Sequence, residues 1–418
     1  MLEQLRGQLR GPLRAGGAAA ACAVAFACAS TPPPAPTAPA RPVPTPAAAS
    51  PVPASTPAPQ PPAPPPVSCA QATFDAMTPR ARVGQLFLMG IPATGADQVS
   101  STIESLAPGG VFLTGRSAKG VAATAAVTST VQRLGTKASG GAGMFVATDQ
   151  EGGQVQVLSG PGFARIPPAT TQGTWSPEAL QAAATGWGRE LRAAGINVNL
   201  APVGDVLSPA LGKANAPIGR YDRAFGTTPP VVSDHVMAVV RGMRAAQVMS
   251  TVKHFPGLGR VRGNTDYSTG VVDRQTTATD SSLRPFTQAA RAGTSWLMVS
   301  SATYSKIDPD QVAAFSPAII NTLLREKIGF QGVIVSDDLG RAKQVAAVAP
   351  GQRAVRFIAA GGDIVVTAEP ATVGPMIDAV LAAATSDPGF AARVTTAQQR
   401  VLAEKSVLGL LPCAPASF

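Results

Sequence analysis

Charged and hydroxyl side chains stand where several apolar runs of this sequence end. Carboxylates beside a lysine and a histidine can transfer protons, attack an electrophilic carbon or bind the hydroxyl groups of a ligand. One residue of this kind is more often structural, but the pattern recurs after five separate runs. These residues are Asp149, Asp205, Lys253 with His254, Ser300 with Ser301, and Asp337 with Asp338. The recurrence predicts that they meet at one functional site.

One segment, residues 250–270 (STVKHFPGLGRVRGNTDYSTG), has the composition of a ligand-binding loop. Lys253 and His254 end an apolar run, and the residues that follow include a proline, four glycines, two arginines and one carboxylate. Such a segment contributes little to a hydrophobic core, so we expect it to contact a ligand. Its GLGRVRG stretch lacks the G-x-G-x-x-G spacing of a dinucleotide-binding loop. The glycines instead allow the backbone to approach a ligand closely.

Eight apolar runs separated by helical stretches predict the element order of an α/β protein. We expect strands at 85–91, 109–115, 143–149, 196–206, 248–255, 295–304, 332–339 and 362–368. Most of these runs are apolar throughout, which is typical of strands buried on both faces. Eight strands alternating with helices favour a (β/α)8 barrel of the TIM type, and a doubly wound open sheet is the alternative. In a barrel the polar strand ends would converge on one mouth.

Four motifs, in this order along the chain, resemble those of glycoside hydrolase family 3. They are DQEGGQVQVL (149–158), RAFG (223–226), KHFPGLG (253–259) and GVIVSDDLG (332–340). The likeness extends over residues 70 to 412 and is closest to the single-barrel β-N-acetylglucosaminidases of that family. It implies a retaining, exo-acting glycosidase that removes terminal N-acetylglucosamine from peptidoglycan-derived fragments. The N-terminal segment and the cysteines, described below, also resemble those of lipoproteins from high-GC Gram-positive bacteria.

The resemblance assigns roles to individual residues by position. Asp337 matches the nucleophile, and a retaining glycosidase needs such a carboxylate to form a glycosyl-enzyme. Asp338 is its rival, but neighbouring residues on a strand point to opposite faces, which favours Asp337. Glu151 is expected to shape the loop after the third strand. The residues matched to substrate binding are Asp149, Arg223, Lys253 and His254, for each of which a salt bridge at the barrel mouth is the alternative.

The loop departs from the family pattern where a general acid/base should stand. In the related enzymes the motif is KHFPGHG, and it is followed by an Asp-Ser-His triplet whose Asp–His pair transfers the proton. Here Leu258 replaces the second histidine of the motif, and residues 264–266 (NTD) align with the triplet. The chain has only two histidines, and the other one, His235, lies on a predicted helix. Asp266 is therefore the candidate proton donor, provided that burial or Asp337 raises its pKa by about two units from about 3.9.

Two other functions remain open on the sequence. Arg260 and Arg262 on the same loop could bind an anion, which would suit a phosphorylase that transfers the sugar to phosphate. The missing histidine favours a different class of protein, a non-catalytic lipoprotein that binds muropeptides or sugars. The intact nucleophile motif favours the two enzymes, and the hydrolase is the leading hypothesis.

The first 68 residues are predicted to lie outside the barrel domain. Residues 1–28 have a basic start and an apolar region too short to span a bilayer, which is typical of an export signal. The signal ends in a lipobox-like AFAC, so Cys28 is the expected lipidation site. Ala25 departs from the usual leucine, and simple secretion is the alternative. Residues 29–68, which are rich in proline and alanine, predict a disordered tether. Residues 69–418 are predicted to form the barrel domain. We expect this domain to lie on the outer face of the cytoplasmic membrane.

The composition narrows the set of partners. Cys69 and Cys413 bracket the barrel domain, and an oxidising compartment would allow a disulfide between them, with two buried thiols as the alternative. The formal charge is +10, but no basic run interleaved with aromatic residues indicates nucleic-acid binding. No cluster of cysteines and histidines indicates a metal, and no cofactor is expected. We expect a monomer that binds a carbohydrate substrate and reaches the cell membrane through its lipid anchor.

Overall fold

A computed structural model describes residues 69–412, and in this part of the chain eight parallel strands close a barrel. They are β1 (Phe87–Pro92), β2 (Gly110–Thr114), β3 (Phe145–Thr148), β4 (Val198–Asn199), β5 (Met249–Phe255), β6 (Trp296–Val299), β7 (Val333–Asp338) and β8 (Ile364–Thr367). The strands follow one another around the barrel in chain order, and β1 pairs with both β2 and β8. This closure confirms the predicted (β/α)8 barrel and excludes an open sheet. The predicted segments 1–28 and 29–68, with Cys28, lie outside the described residues.

Helices separate the strands over the whole described range. The α-helices are α1 (Cys69–Ala76), α2 (Pro79–Gly84), α3 (Ser100–Leu106), α4 (Gly120–Ala138), α5 (Ala169–Gln172), α6 (Pro177–Ala193), α7 (Pro229–Ala245), α8 (Arg284–Arg291), α9 (Pro350–Ala359), α10 (Val373–Ser386) and α11 (Pro388–Val407). A helix of the wider π type, Ala318–Lys327, connects β6 to β7. No helix between residues 69 and 412 has the length and apolar character that crossing a membrane requires.

The barrel strands are apolar because they are covered on both faces. Every residue of β3, β5 and β6 is buried. Phe145 and Trp296 meet edge to face inside this core, with ring centroids 4.8 Å apart. Packing of this kind stabilises the barrel and fixes the strand ends from which the polar residues project.

The fourth strand is much shorter than the sequence predicts. The apolar run 196–206 contains only two paired residues, Val198–Asn199, followed by an isolated bridge between Val203 and Lys253. Pro202 has no N–H with which to continue a regular ladder. The chain therefore leaves the strand early and reaches the barrel mouth as an irregular segment that carries Asp205.

The two ends of the described chain lie against one another. Cys69 packs on a small apolar cluster that contains Met77, Ala107 and Leu411. The residues of this cluster precede β1, β2 or β3, lie on α11 or follow it, so the cluster lies at the amino ends of the strands, away from the barrel mouth. Cys413 is outside the described residues, two positions beyond Leu411, and its pairing with Cys69 stays a prediction.

We expect thiol titration of the denatured, non-reduced domain (residues 66–418) to find no free thiol. Replacing one partner, Cys413→Ser, should release one reactive thiol at Cys69. It should also lower the free energy of unfolding by up to about 4 to 5 kcal/mol, because the bridge closes a loop of about 340 residues in the unfolded chain. Two reactive thiols in the unsubstituted domain would exclude the disulfide.

Candidate active site

The carboxyl ends of the barrel strands surround a cavity of about 930 Å³, large enough for a disaccharide. The six residues predicted for substrate binding and catalysis all line it: Asp149, Arg223, Lys253, His254, Asp266 and Asp337. Asp149 follows β3, Lys253 and His254 lie on β5, and Asp337 lies on β7. The remaining two come from the loops after β4 and β5. The structure thus brings the six together, and the role of each stays a prediction.

Two serines that the same pattern singled out do not belong to this cavity. Ser300 and Ser301 follow β6 but are fully buried and do not line the pocket. The Oγ of Ser300 lies 3.0 Å from the hydroxyl oxygen of Tyr304, which in turn donates to the carbonyl of Gly257. These contacts connect the end of β6 to the loop after β5. Ser300 therefore has a structural role.

A buried cluster of four charges forms one wall of the pocket. The Nζ of Lys253 lies 2.6 Å from Oδ1 of Asp149 and 2.7 Å from Oε1 of Glu151. Glu151 also accepts two hydrogen bonds from the guanidinium of Arg223, from Nε at 2.8 Å and from Nη2 at 2.7 Å. Charge-assisted, bidentate pairs of this type hold both partners in a fixed orientation. The cluster therefore presents Lys253 and Arg223 to a ligand in fixed positions.

Glu151 is the centre of this cluster, although the sequence assigned it only to the shape of a loop. Burial alone would raise the pKa of Glu151, but the charges of Arg223 and Lys253 outweigh burial and lower the pKa to about 2. Burial alone would likewise lower the pKa of Lys253, and Asp149 and Glu151 instead raise it. The opposite charges of the cluster thus stabilise Glu151 and Lys253 in their ionised forms.

We expect Glu151→Gln to lower the free energy of unfolding by about 3 to 5 kcal/mol, because two buried cations lose their shared anion. The substitution should also remove an acid-dependent part of the stability. In the unsubstituted protein the contribution of Glu151 is complete above pH 4.5 and is lost as the pH falls towards 2, since its folded-state pKa is depressed. Denaturant unfolding at several pH values measures both effects.

The matched control is Glu369→Gln, which removes the carboxylate of an exposed ion pair with Arg341 (3.1 Å). An exposed pair contributes at most about 1 kcal/mol. Equal effects of the two substitutions would show that the buried cluster does not stabilise the fold.

His254 is held in one orientation by Asp205. The ring Nδ1 lies 2.8 Å from Oδ2 of Asp205, while Oδ1 of the same carboxylate accepts the backbone N–H groups of His254 (3.2 Å) and Leu258 (2.8 Å). An Nδ1–H that donates to a carboxylate leaves Nε2 as the free ring nitrogen. This Nε2 lies 3.5 Å from Nη2 of Arg223. Asp205 is fully buried and thus orients a pocket residue without lining the pocket.

Asp337 and Asp338 have different surroundings, although both line the pocket. The carboxylate of Asp338 accepts the backbone N–H groups of Gly340 (2.7 Å) and Ala368 (3.0 Å), and it therefore fixes the turn after β7. The carboxylate of Asp337 accepts one hydrogen bond within the described part of the chain, from the N–H of Asp338 at 2.9 Å. Asp337 is thus the one with free acceptor capacity towards a ligand.

The prediction that strand alternation would separate these two aspartates is wrong. The pairing of β7 with β8 shifts register between Val335 and Asp338, so the strand is irregular where the two carboxylates project. Hydrogen-bond partners, and not the face of the strand, distinguish them.

Asp266 is placed on the loop after β5, next to the pocket residues that would control its proton. Burial of the carboxyl group, followed by the negative charges of Asp337 and Asp338, raises the pKa of Asp266 to about 6. The residue as a whole is exposed at the pocket rim, where a substrate can reach it. The upward direction of the pKa shift is the one that a proton donor requires.

The loop that carries Asp266 is fastened to the segment that follows Asp337. The N–H groups of Lys343 and Gln344 donate to the carbonyls of Asp266 (3.2 Å) and Thr265 (3.0 Å). The side-chain amide of Gln344 accepts from the N–H of Val271 (3.0 Å) and donates to its carbonyl (3.3 Å). These contacts position Asp266 relative to the loop of the predicted nucleophile.

Comparisons with known proteins bear on this pocket. The family model described as "Glycosyl hydrolase family 3 N terminal domain" matches residues 78–403. A beta-hexosaminidase of Stenotrophomonas maltophilia (strain R551-3) is 35% identical over 246 residues, which are 56% of this chain and 70% of that protein. The chain belongs to glycosyl hydrolase family 3. As a member of this family it is a glycoside hydrolase that acts on O-glycosyl bonds, so its substrate is a carbohydrate.

Two solved structures resemble the chain closely. A beta-N-acetylhexosaminidase from Beutenbergia cavernae DSM 12333 is 51% identical with a TM-score of 0.78, and the match covers 79% of this chain and 99% of that one. A beta-N-acetylglucosaminidase from Paenibacillus sp. str. FPU-7 is 28% identical with a TM-score of 0.72, covering 82% of this chain and 65% of that one. The likeness extends over the barrel that forms the pocket.

In this family 3 enzyme neither histidine can serve as acid/base on the loop. His254 lies on β5 and is bound to Asp205, as described above. His235 lies on α7, and its ring nitrogens are 2.7 Å from the carbonyl of Val231 and 3.0 Å from that of Trp175. Leu258, which stands in the place of the second motif histidine, is 2% exposed. Asp266 is therefore the carboxyl group that the loop contributes to the pocket.

The arginines that suggested phosphate binding at this loop point elsewhere. The guanidinium of Arg260 is bound to both carboxylate oxygens of Asp280, at 2.7 and 3.1 Å. Neither Arg260 nor Arg262 lines the catalytic pocket of the described domain. The observation that favoured a phosphorolytic family 3 enzyme is thereby removed.

Several pocket residues escaped the sequence argument. Arg116, Tyr221, Tyr267 and Arg341 line the rim, and Tyr267 is 76% exposed. They come from loops, where no periodicity indicates the direction of a side chain. Glu151 carried a usable signal, since it is a second carboxylate two residues after Asp149, which ends an apolar run.

Proposed function

We propose that the protein is an exo-acting, retaining β-N-acetylglucosaminidase that removes terminal N-acetylglucosamine from peptidoglycan-derived fragments. The observation that carries this proposal is the pairing, in one pocket, of a carboxylate with free acceptor capacity, Asp337, and a carboxyl group of raised pKa, Asp266. Two carboxyl groups with different proton affinities are what glycoside hydrolysis requires. The names of the similar proteins, beta-hexosaminidase and beta-N-acetylhexosaminidase, support the choice of sugar.

In the first chemical step the Asp337 carboxylate attacks the anomeric carbon while Asp266 gives its proton to the departing glycosidic oxygen. The bond to the leaving group breaks, and a covalent glycosyl-enzyme forms on Asp337. In the second step Asp266, now ionised, takes a proton from water, and the resulting nucleophile releases the sugar and regenerates both groups. Two inversions at the same carbon give retention of configuration.

The charged wall of the pocket binds the sugar that is released. Lys253 and Arg223 donate hydrogen bonds to the hydroxyl oxygens of the sugar. Asp149 accepts hydrogen bonds from the O–H groups of the same sugar. His254, oriented by Asp205, presents Nε2 to the same sugar. Because Glu151 holds both cations in place before the substrate arrives, little ordering entropy remains to be lost on binding.

The direct test is hydrolysis of 4-nitrophenyl N-acetyl-β-glucosaminide, with the matching β-glucoside as a control for the acetamido group. We expect release of the β-anomer, seen by proton NMR before mutarotation, and chito-oligosaccharides that lose one monosaccharide at a time, each leaving a chain one sugar shorter. Sugar binding without any turnover would favour the muropeptide-binding lipoprotein. Formation of sugar 1-phosphate that depends on inorganic phosphate would favour the phosphorylase.

We also propose that the protein is exported and anchored to the outer face of the cytoplasmic membrane through an acylated Cys28. The basic start, the apolar region and the AFAC sequence of the first 28 residues support this proposal. Mass spectrometry of the mature N-terminal peptide should find a lipid on Cys28. The variant Cys28→Ala should move the protein from the membrane fraction to the medium, and an unmodified Cys28 in the mature protein would exclude the anchor.

A further inference from the structure

A second cavity, of about 380 Å³, lies at the end of the barrel opposite to the catalytic pocket. We call it the basal cavity and define it by Arg325, Asp363, Arg393 and Arg400, with Asn321, Gln331 and Thr396 also in its wall. Asp363 directly precedes β8, and Arg325 donates to the carbonyls of Phe330 and Gly332 just before β7. The cavity is therefore built at the amino ends of β7 and β8, and β7 carries Asp337 at its carboxyl end.

The basal cavity has more positive charge than its own carboxylate can neutralise. Oδ2 of Asp363 lies 2.5 Å from Nη2 of Arg325, and Oδ1 lies 3.0 Å from Nη1 of Arg400. Asp363 also accepts the N–H of Ile334 at 2.7 Å, so its acceptor capacity is largely used. Arg393 is bound through Nη1 to the carbonyl of Ala359 and has no carboxylate partner in the described part of the chain. Two guanidinium groups thus share one carboxylate, and a third, that of Arg393, stands in the same wall.

Several donors of these arginines remain unused. The Nε of Arg325 is buried and has no hydrogen-bond partner within residues 69–412, although the side chain is only 10% exposed. Arg400 donates through one nitrogen and is 32% exposed, which leaves its Nε and Nη2 available. Burial lowers the pKa of Arg325, Asp363 opposes this effect, and the charge of Arg400 lowers the pKa further. An anion in the cavity would accept hydrogen bonds from the free donors of Arg400 and relieve the repulsion between the arginines, while Arg325 would act through its charge alone.

A purely structural ion-pair network explains only part of this arrangement. Arg325 and Asp363 join the segments before β7 and β8, and Arg400 attaches α11 to them. That purpose needs neither Arg393 nor an open cavity of this size. Planar guanidinium groups with free N–H donors are the side chains that suit the oxygens of a phosphate group. The neutral amides of Asn321 and Gln331 add hydrogen-bonding capacity in the same wall.

We propose that the basal cavity binds the phosphate group of a phosphate-bearing ligand, independently of the catalytic pocket. Arg393 and Arg400, which lie on α11, bind the phosphate oxygens. Arg325 contributes the positive charge of its buried guanidinium group. The ligand is either a phosphomonoester (or free phosphate) or a phosphodiester, since both present anionic oxygens to the three arginines.

The test is calorimetric titration of the full-length protein with inorganic phosphate at low ionic strength, and in parallel with glycerophosphoglycerol as a phosphodiester. The double variant Arg393→Gln/Arg400→Gln should weaken binding at least tenfold while leaving hydrolysis of the nitrophenyl substrate unchanged. Arg133→Gln/Arg192→Gln, which removes two exposed charges on α4 and α6, is the charge-matched control and should bind as the unsubstituted protein does. Asp337→Asn should also keep phosphate binding, because the catalytic pocket is not involved.

Tighter binding of inorganic phosphate would assign the site to monoesters or the free ion, and tighter binding of the diester to a phosphodiester polymer. Both results support the proposal. Equal loss of binding in the two arginine double variants would show that binding depends only on the overall charge of the protein. That result would overturn the proposed site. Absence of saturable binding to either compound, with a lower unfolding midpoint for Arg393→Gln/Arg400→Gln, would show that the arginines are only structural.

Discussion

Asp337→Asn should reduce turnover of 4-nitrophenyl N-acetyl-β-glucosaminide by about 10⁴-fold or more, because a neutral amide cannot form the glycosyl-enzyme. The fold should be unaffected, since within residues 69–412 the side chain of Asp337 accepts only the N–H of Asp338, and an amide oxygen can accept it too. Initial rates measure the loss. Mass spectrometry of the enzyme trapped with a fluorosugar inactivator should place the sugar on Asp337 in the unsubstituted protein.

Asp338→Asn is the matched control for this prediction. One oxygen of Asp338 accepts from both Gly340 (2.7 Å) and Ala368 (3.0 Å), and an asparagine can preserve those two bonds. We expect a folded protein with partial activity, within about tenfold of the unsubstituted enzyme. A variant Asp337→Asn with near-native turnover, or a trapped sugar on Asp338, would reverse the assignment.

Asp266→Ala should distinguish natural from activated substrates. General acid catalysis contributes about 10² to 10⁴-fold, and a natural sugar leaving group needs the proton, whereas nitrophenolate hardly does. We therefore expect kcat/KM to fall by about 10² to 10⁴-fold on a natural disaccharide and much less on the nitrophenyl substrate. Added azide should accelerate deglycosylation of the variant, since it is a nucleophile that needs no general base.

The raised pKa of Asp266 also predicts the pH profile. Because the proton donor must be protonated, kcat/KM on the disaccharide should decline as the pH rises through about 6, and this decline should be missing in Asp266→Ala. Asp310→Ala, at an exposed carboxylate of the strand Asp308–Val312, serves as the control and should retain the profile. Small and equal losses on both substrates would remove Asp266 from the mechanism.

The barrel could be predicted from the sequence because burial on both faces imposes a simple pattern. Each of the eight apolar runs contains a barrel strand, since strands covered by helices outside and side chains inside have no polar face to interrupt the run. The exception in length, β4, ends at Asn199, and Pro202 three residues later has no N–H with which to resume a regular ladder. The convergence of polar residues followed from the same geometry, because parallel strands place their carboxyl ends at one mouth.

The hydrogen-bond and ion-pair partners of the individual site residues could not be predicted in the same way. Nothing in the spacing indicates that Glu151 would bind both Arg223 and Lys253, since Arg223 comes from a loop more than seventy residues later. Strand alternation failed at β7 because a register shift is a local irregularity without a sequence signature here. The environment of Asp266 depends on the distance between two loops, and that distance is set by contacts such as those of Gln344.

The contact of Cys69 and Leu411 with one cluster has a consequence for how the chain can be connected. Neighbouring ends allow circular permutation: Pro412 could be joined to Cys69 by a short linker and the chain reopened between the exposed residues Ala292 and Gly293, in the turn between α8 and β6. All eight strand pairings would survive, and Asp337 would then precede Asp149 along the chain. The order of the motifs thus reflects where the chain is cut open, and the chemistry of the pocket does not depend on it.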